Sequence, residues 1–154
     1  MDKMALTGIA VRPARRADMI LLEQCEVTCE EGLAGDHLSR PSSRQLTILS
    51  EENWLEACRE LGTELPWQTR RANLLIRGYR FGWNDVGRHL KIGTLVLKIT
   101  RETTPCRRMD EQQQGLMSAL STNWRGGVCC RVIHGGVIRL GDSIEIFPPE
   151  SDPG

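Results

Sequence analysis

Between residues 94 and 101 apolar Leu95, Leu97 and Ile99 alternate with Thr94 and Lys98, the period of two that a strand with one buried face requires. Strand-favouring residues dominate six further short segments, 6–11, 20–29, 45–49, 73–76, 128–133 and 143–147. Glycine and proline bound them, and the spacing of roughly 8 to 12 residues in the second half suits a barrel or sandwich rather than parallel βαβ units. The period changes twice. Ser50 is a good N-cap for a helix over 51–61, with Glu51 and Glu52 in its first turn, Trp54, Cys58 and Leu61 on one stripe, and Gly62 as its stop. A second helix is predicted over 112–120 from Leu116, Met117 and Leu120; Gly115 makes it shorter or starts it there. The pattern predicts one mainly β domain over 4–147, with two or three short helices. A tail over 148–154 follows, where Pro148, Pro149, Pro153 and Gly154 cannot hold a strand.

The chain has 154 residues, enough for one core that needs no disulfide or structural metal. Its 20 Lys and Arg balance 20 Asp and Glu, so no global field gathers nucleic acid or an anionic membrane, and neither is expected as a partner. Any anion site must be local. No secretory signal or membrane span is legible, and six cysteines in such a chain point to a reducing compartment, the cytoplasm.

Candidate chemistry centres on Cys106, in Thr103-Thr104-Pro105-Cys106-Arg107-Arg108, just past a strand that Pro105 ends. Cations beside a thiol favour the thiolate, which is both nucleophile and metal ligand, and Arg107 and Arg108 follow Cys106 directly. Cys25, Cys29, Cys58, Cys129 and Cys130 fit packing roles better. The first two lack partners for a zinc set, Cys58 lies on the helix stripe, and Cys129 and Cys130 face opposite ways, so at most one of them can share a pocket with Cys106. Gly32-Leu33-Ala34-Gly35-Asp36-His37 is a glycine turn carrying a carboxylate and an imidazole, suited to ligand contact and equally to an Asx turn. Arg40, Arg44, Arg70, Arg71, Arg88, Arg125 and Arg131 could converge in part on an anion. Walker A, Gly-x-Gly-x-x-Gly, His-Glu-x-x-His and nucleophile-elbow motifs do not occur.

In their order, the glycine turn, Arg44-Gln45-Leu46-Thr47, Arg71-Ala72-Asn73-Leu74, Ile92-Gly93, Pro105-Cys106-Arg107-Arg108-Met109-Asp110, Trp124-Arg125-Gly126-Gly127-Val128, Arg131-Val132 and the stretch from Gly135-Gly136 to Gly141-Asp142 resemble the MOSC domain, named for the C-terminal domain of molybdenum cofactor sulfurases. The resemblance runs from about Gly8 to Ile146 and is nearest to small stand-alone bacterial members, without the pyridoxal-phosphate-dependent desulfurase domain of the large sulfurases. It implies a β-barrel of the MOSC, pyruvate-kinase-barrel-like kind, with a pocket for the molybdenum cofactor (molybdopterin). It further implies that Cys106 ligates molybdenum or carries a persulfide, while Asp36, His37, Arg44, Arg71, Asn73, Arg107 and Arg131 shape the pocket and hold the anionic cofactor. Implied partners are a cysteine desulfurase as sulfur donor, or electron-transfer proteins if the chain is part of a reductase of N-hydroxylated compounds. The alternative is a non-catalytic module that binds the cofactor or another anionic ligand. Many relatives have Arg between the Asp and His of the glycine turn; here Asp36 abuts His37, and that cationic contact is either lost or supplied by Arg40 or Arg44.

Overall fold

The structure is a computed structural model that describes residues 3–149. In chain order its elements are strands β1 (Ala5–Val11), β2 (Ile20–Leu22), β3 (Gln24–Thr28), β4 (Gly32–Leu33) and β5 (Leu46–Ser50), then helix α1 (Glu51–Leu61) and β6 (Leu74–Arg77). There follow β7 (His89–Ile92), β8 (Leu95–Glu102), helices α2 (Arg108–Gln112) and α3 (Leu116–Leu120), and β9 (Val128–His134), β10 (Gly136–Arg139) and β11 (Ile144–Phe147). Single turns of 3-10 helix occupy Trp67–Arg70 and Trp83–Asp85.

The mainly β expectation holds, but the expected closed barrel does not form. Eight strands make one open sheet in the order β11-β7-β8-β9-β5-β6-β1-β2, and β10-β3-β4 make a second. The reason lies in β1. One of its edges pairs with β6; on the other, β2 takes Ile9 to Val11, so only the first residues of that edge remain for the chain entering β11. That seam is one isolated bridge, Ala5 to Ser143, with Leu6 N–H donating to Asp142 O at 2.9 Å and Gly141 N–H to Leu6 O at 2.8 Å. The ends of the sheet meet there without a ladder.

The segment 20–29, expected as one strand, breaks at Glu23. β2 joins the large sheet and β3 the small one, while the Glu23 carbonyl accepts the Leu140 N–H at 2.9 Å. The strands β4, β7 and β10 were absent from the sequence pattern. Pairing is antiparallel except β5 with β6, which run parallel with α1 as crossover, so one βαβ unit is present after all.

That unit separates two apolar clusters. Ile48, Leu74 and Ile76 face the core between the sheets, whereas Leu49 and Leu75 face a second cluster with Trp54, Cys58, Met109, Leu116 and Leu120 under the helices. α1 spans the expected residues: the Ser50 hydroxyl accepts from Asn53 N–H, and Gly62 at φ 66° with Thr63 closes a Schellman turn on Arg59 and Cys58 carbonyls. The second expected helix takes its shorter form, α3, which begins directly after Gly115 at φ 89°, whereas α2 was not expected. The Asp110 carboxylate of α2 accepts the Met117 N–H at 2.9 Å. Of the expected tail, Pro148 and Pro149 carry no regular structure and 150–154 lie outside the described residues.

Candidate functional site

The glycine turn is tied to the end of β1. Arg12 N–H donates to Asp36 Oδ1 at 2.8 Å and His37 N–H donates to Arg12 O at 2.9 Å. Asp36 Oδ2 accepts from Ser39 Oγ at 2.9 Å and Leu38 N–H at 3.3 Å, the Asx-turn chemistry of a loop-closing aspartate. Only glycine suits position 32: its φ is +65°, and a Cβ would lie 2.3 Å from Ser39 Cβ. Asn73, buried just before β6, donates through Nδ2 to Ala10 O (3.2 Å) and Asp36 Oδ1 (3.4 Å) and accepts the Thr47 N–H (3.1 Å). Asp36 and Asn73 are therefore spent on protein partners and hold the frame on which their neighbours stand. One such neighbour is Arg71, left-handed at φ 63° after the 3-10 turn, whose Nη2 donates to Ala17 O at 2.7 Å.

These pieces enclose a cavity of about 550 Å³ lined by Arg12, Arg15, Arg16, His37, Leu38, Arg71, Arg108, Met109, Glu111 and Gln112. Five guanidiniums face one lining carboxylate. Burial, with Arg71 next and Arg108 after it, pushes the Arg12 guanidinium below its ordinary value, and Asp36 opposes this only in part. Arg12 Nε and His37 Nδ1 are buried with no hydrogen-bond partner. Crowded like charges cost free energy here, and an anion with several acceptor oxygens relieves that crowding.

Cys106 is the exposed cysteine of the turn that opens α2, where its carbonyl accepts the Met109 N–H at 3.0 Å. It is not itself a lining residue, but α2 carries Arg108, Met109, Glu111 and Gln112 into the cavity wall. Of the cofactor-holding residues expected from sequence, His37 and Arg71 line the cavity and Asp36 and Asn73 brace it. Arg107 is exposed and Arg108 takes the lining position. Arg44 is exposed outside this wall, and Arg131 lines a separate surface depression with Cys29 and Gln45. Arg40 lies beside Asp36 and His37 on the other side of the glycine turn. Arg12, Arg15 and Arg16 also line the cavity, and sequence reasoning did not single them out. Their signal was legible as three arginines in five residues directly after a strand.

The remaining cysteines pack. Cys25, Cys58, Cys129 and Cys130 are buried, and burial raises the Cys25, Cys58 and Cys130 thiols above their ordinary value. Cys129 faces away from the main core, with its sulfur 3.2 Å from Thr103 Oγ1. Arg125 is buried between Glu56 and Glu60, tying the loop after α3 to α1.

The family model of the MOSC domain matches residues 34–145, from the glycine turn into the last strand. The chain belongs to the MOSC domain family. Among solved structures, the YuaD protein from Bacillus subtilis is similar at 19% identity and a TM-score of 0.80, covering 96% of this chain and 97% of that one. YiiM from Escherichia coli (18% identity, TM-score 0.71) covers 96% of this chain and 72% of its own. YiiM from Geobacillus stearothermophilus (17%, TM-score 0.74) covers 97% and 77%. At such identities the likeness establishes the fold alone. A search of curated proteins returns no match. No helix among the described residues is long and apolar enough to cross a membrane.

Proposed function

We propose that this MOSC-domain protein binds the molybdenum cofactor through its phosphate in the arginine-lined cavity and presents Cys106 as the sulfur that either ligates molybdenum or carries a persulfide. The observation that carries this reading is the cavity's unbalanced charge, five arginines with Arg12 Nε and His37 Nδ1 unpartnered, next to the turn bearing the exposed Cys106. Arg12, Arg71 and Arg108 would hold the phosphate, each able to present two parallel N–H groups to its oxygens. His37 would complete that shell, and Leu38 and Met109 give the wall an apolar side. When bound, the cofactor supplies a dithiolene-held metal capable of oxygen-atom and sulfur chemistry, for which a soft thiolate is a fitting ligand.

The persulfide form needs only the protein's thiolate and a donor. Cys106 sulfur attacks the outer sulfur of a donor persulfide, one S–S bond forms as another breaks, and the donor leaves as a thiolate. A cysteine desulfurase is the partner class for that reaction. Electron-transfer proteins are the partner class if the bound metal serves a reductase of N-hydroxylated compounds, and the cytoplasm is where such donors and a free thiol would meet.

The test is molybdenum content by elemental analysis, together with mass spectrometry of the Cys106 peptide, on protein from a cofactor-competent host. Wild type is expected to carry metal or one added sulfur, and folded Cys106→Ser to lose it. Equal loading in the two proteins would refute the role of Cys106, and absence of both signals in wild type would favour a module for another phosphate-bearing ligand.

A further inference from the structure

Arg70 ends the 3-10 turn Trp67–Arg70 and is 8% exposed, although among the described residues no carboxylate pairs with it. Burying a guanidinium is unfavourable unless an anion or a full set of acceptors receives it. Arg70 has an incomplete set. Its Nε donates to Gly126 O at 3.1 Å, Nη2 to Thr103 O at 3.1 Å, and Nη1 reaches the soft acceptor Met109 Sδ at 3.9 Å. Five donors thus meet three protein acceptors, one of them weak.

Those acceptors have a common location. Thr103 and Met109 flank Cys106 in sequence, and Gly126 packs against the same loop so closely that a Cβ there would lie 2.3 Å from Thr103 O and 3.3 Å from Arg70 Nη2. The guanidinium therefore sits beneath the Cys106 turn and grips it on both sides. Burial lowers the Arg70 guanidinium from its ordinary value, opposed by its proximity to the Cys106 and Cys129 side chains.

We infer that Arg70 is the positioning residue of the Cys106 site: a fixed, buried positive charge that holds the turn and stabilises negative charge at the Cys106 sulfur, whether thiolate, persulfide or metal-bound thiolate. This rests on the reading of Cys106 as the working sulfur. It separates Arg70 from Arg107 and Arg108, whose exposed charges share the neighbourhood but are screened by salt.

The test compares alkylation of Cys106 by anionic iodoacetate and neutral iodoacetamide, read on the Cys106 peptide by mass spectrometry. Taking the ratio of the two rates cancels loop accessibility and thiolate fraction and leaves the local field. In wild type the ratio is expected to exceed that of glutathione, and the excess to persist at 1 M salt, where the Debye length is about 3 Å. Collapse to the glutathione value at 1 M salt would assign the field to the surface arginines and overturn the inference without any variant. In folded Arg70→Gln the ratio is expected to fall roughly threefold, the effect of one unit charge acting through a partly solvated path. Arg70→Lys, which keeps the charge and loses the fork, should retain most of it. An unchanged ratio in Arg70→Gln, or an equal fall in both variants, would reduce Arg70 to a hydrogen-bonding brace. Cys106-dependent loading with an unchanged ratio sinks this inference alone; an Arg70-dependent ratio without metal or persulfide sinks the proposed function alone.

Discussion

Tyr79 is the one tyrosine in the chain, so its ionisation can be followed without interference from another phenol. Its hydroxyl donates to Asp85 Oδ1, and Asp85 is buried and also receives the Gly82 N–H at 2.8 Å. Burial of the phenol, then the hydrogen bond to that carboxylate and its charge, push Tyr79 up to about 12. In the unfolded chain it titrates near its ordinary value of about 10. The group's folded value is the higher one, so its contribution to stability is complete below about pH 10 and lost as the pH rises toward 12. Spectrophotometric titration should give a phenolate midpoint near 12 in native protein and near 10 in denaturant. A native midpoint near 10 would mean that the Tyr79–Asp85 pair is open in solution. Single residues of the candidate site divide in the same way: Asp36 and Asn73 have their polar atoms spent on backbone and neighbours, while Arg12 Nε and His37 Nδ1 are buried without partners.

At the scale of elements, two glycines with positive φ separate conformational strain from steric collision. Gly62 closes α1 at φ +66°, and a Cβ added there would meet nothing within 4 Å, so Gly62→Ala should cost only the left-handed penalty, about 1 kcal/mol. Gly127 precedes β9 at φ +98°, and a Cβ there would lie 2.4 Å from the Ile48 carbonyl of β5. Neither backbone can yield without disturbing the β5–β9 ladder, which begins at the Ile48–Val128 pair. Gly127→Ala is expected to cost several times as much as Gly62→Ala in urea unfolding, and equal costs would show that the β5–β9 junction is more pliable than its geometry indicates. The Cys106 turn hangs from this junction, since Thr103 N–H donates to Gly127 O at 2.9 Å.

At the scale of the whole molecule, zero formal charge conceals a segregated distribution. The cavity is assembled from the segment after β1, the glycine turn, Arg71 before β6, and α2, which are distant in sequence and meet only when the sheet has formed. A ligand of the assembled cavity binds the folded state alone and must therefore stabilise the fold. Inorganic phosphate at about tenfold its Kd should add about 1.4 kcal/mol, seen as a raised unfolding midpoint against a chloride control of equal ionic strength. The gain should vanish in Arg12→Ala and Arg71→Ala; its persistence in both would place phosphate elsewhere on the surface.

Local rules suffice where one segment carries its own physics. α1 is complete within residues 50–63, because capping, first-turn charge and the glycine stop all act over a few residues, and its expected limits match the structure. The strand at Leu95–Glu102 was likewise legible from alternation, and the Cys106 turn from the proline that ends the strand, but only the structure shows that the thiol is exposed. The ordered run of short motifs pointed to the MOSC domain because such motifs are themselves local. Tertiary structure decided the rest. Whether the sheet closes depends on how β1 divides one edge between β2 and the chain entering β11, a competition invisible in any one segment. Which arginines converge depends on the same assembly: Arg12, Arg15 and Arg16 reach the cavity while Arg44 and Arg131 face other surfaces, though composition treats all five alike. Charge and residue type are properties of the chain, but convergence is a property of the distances that folding creates.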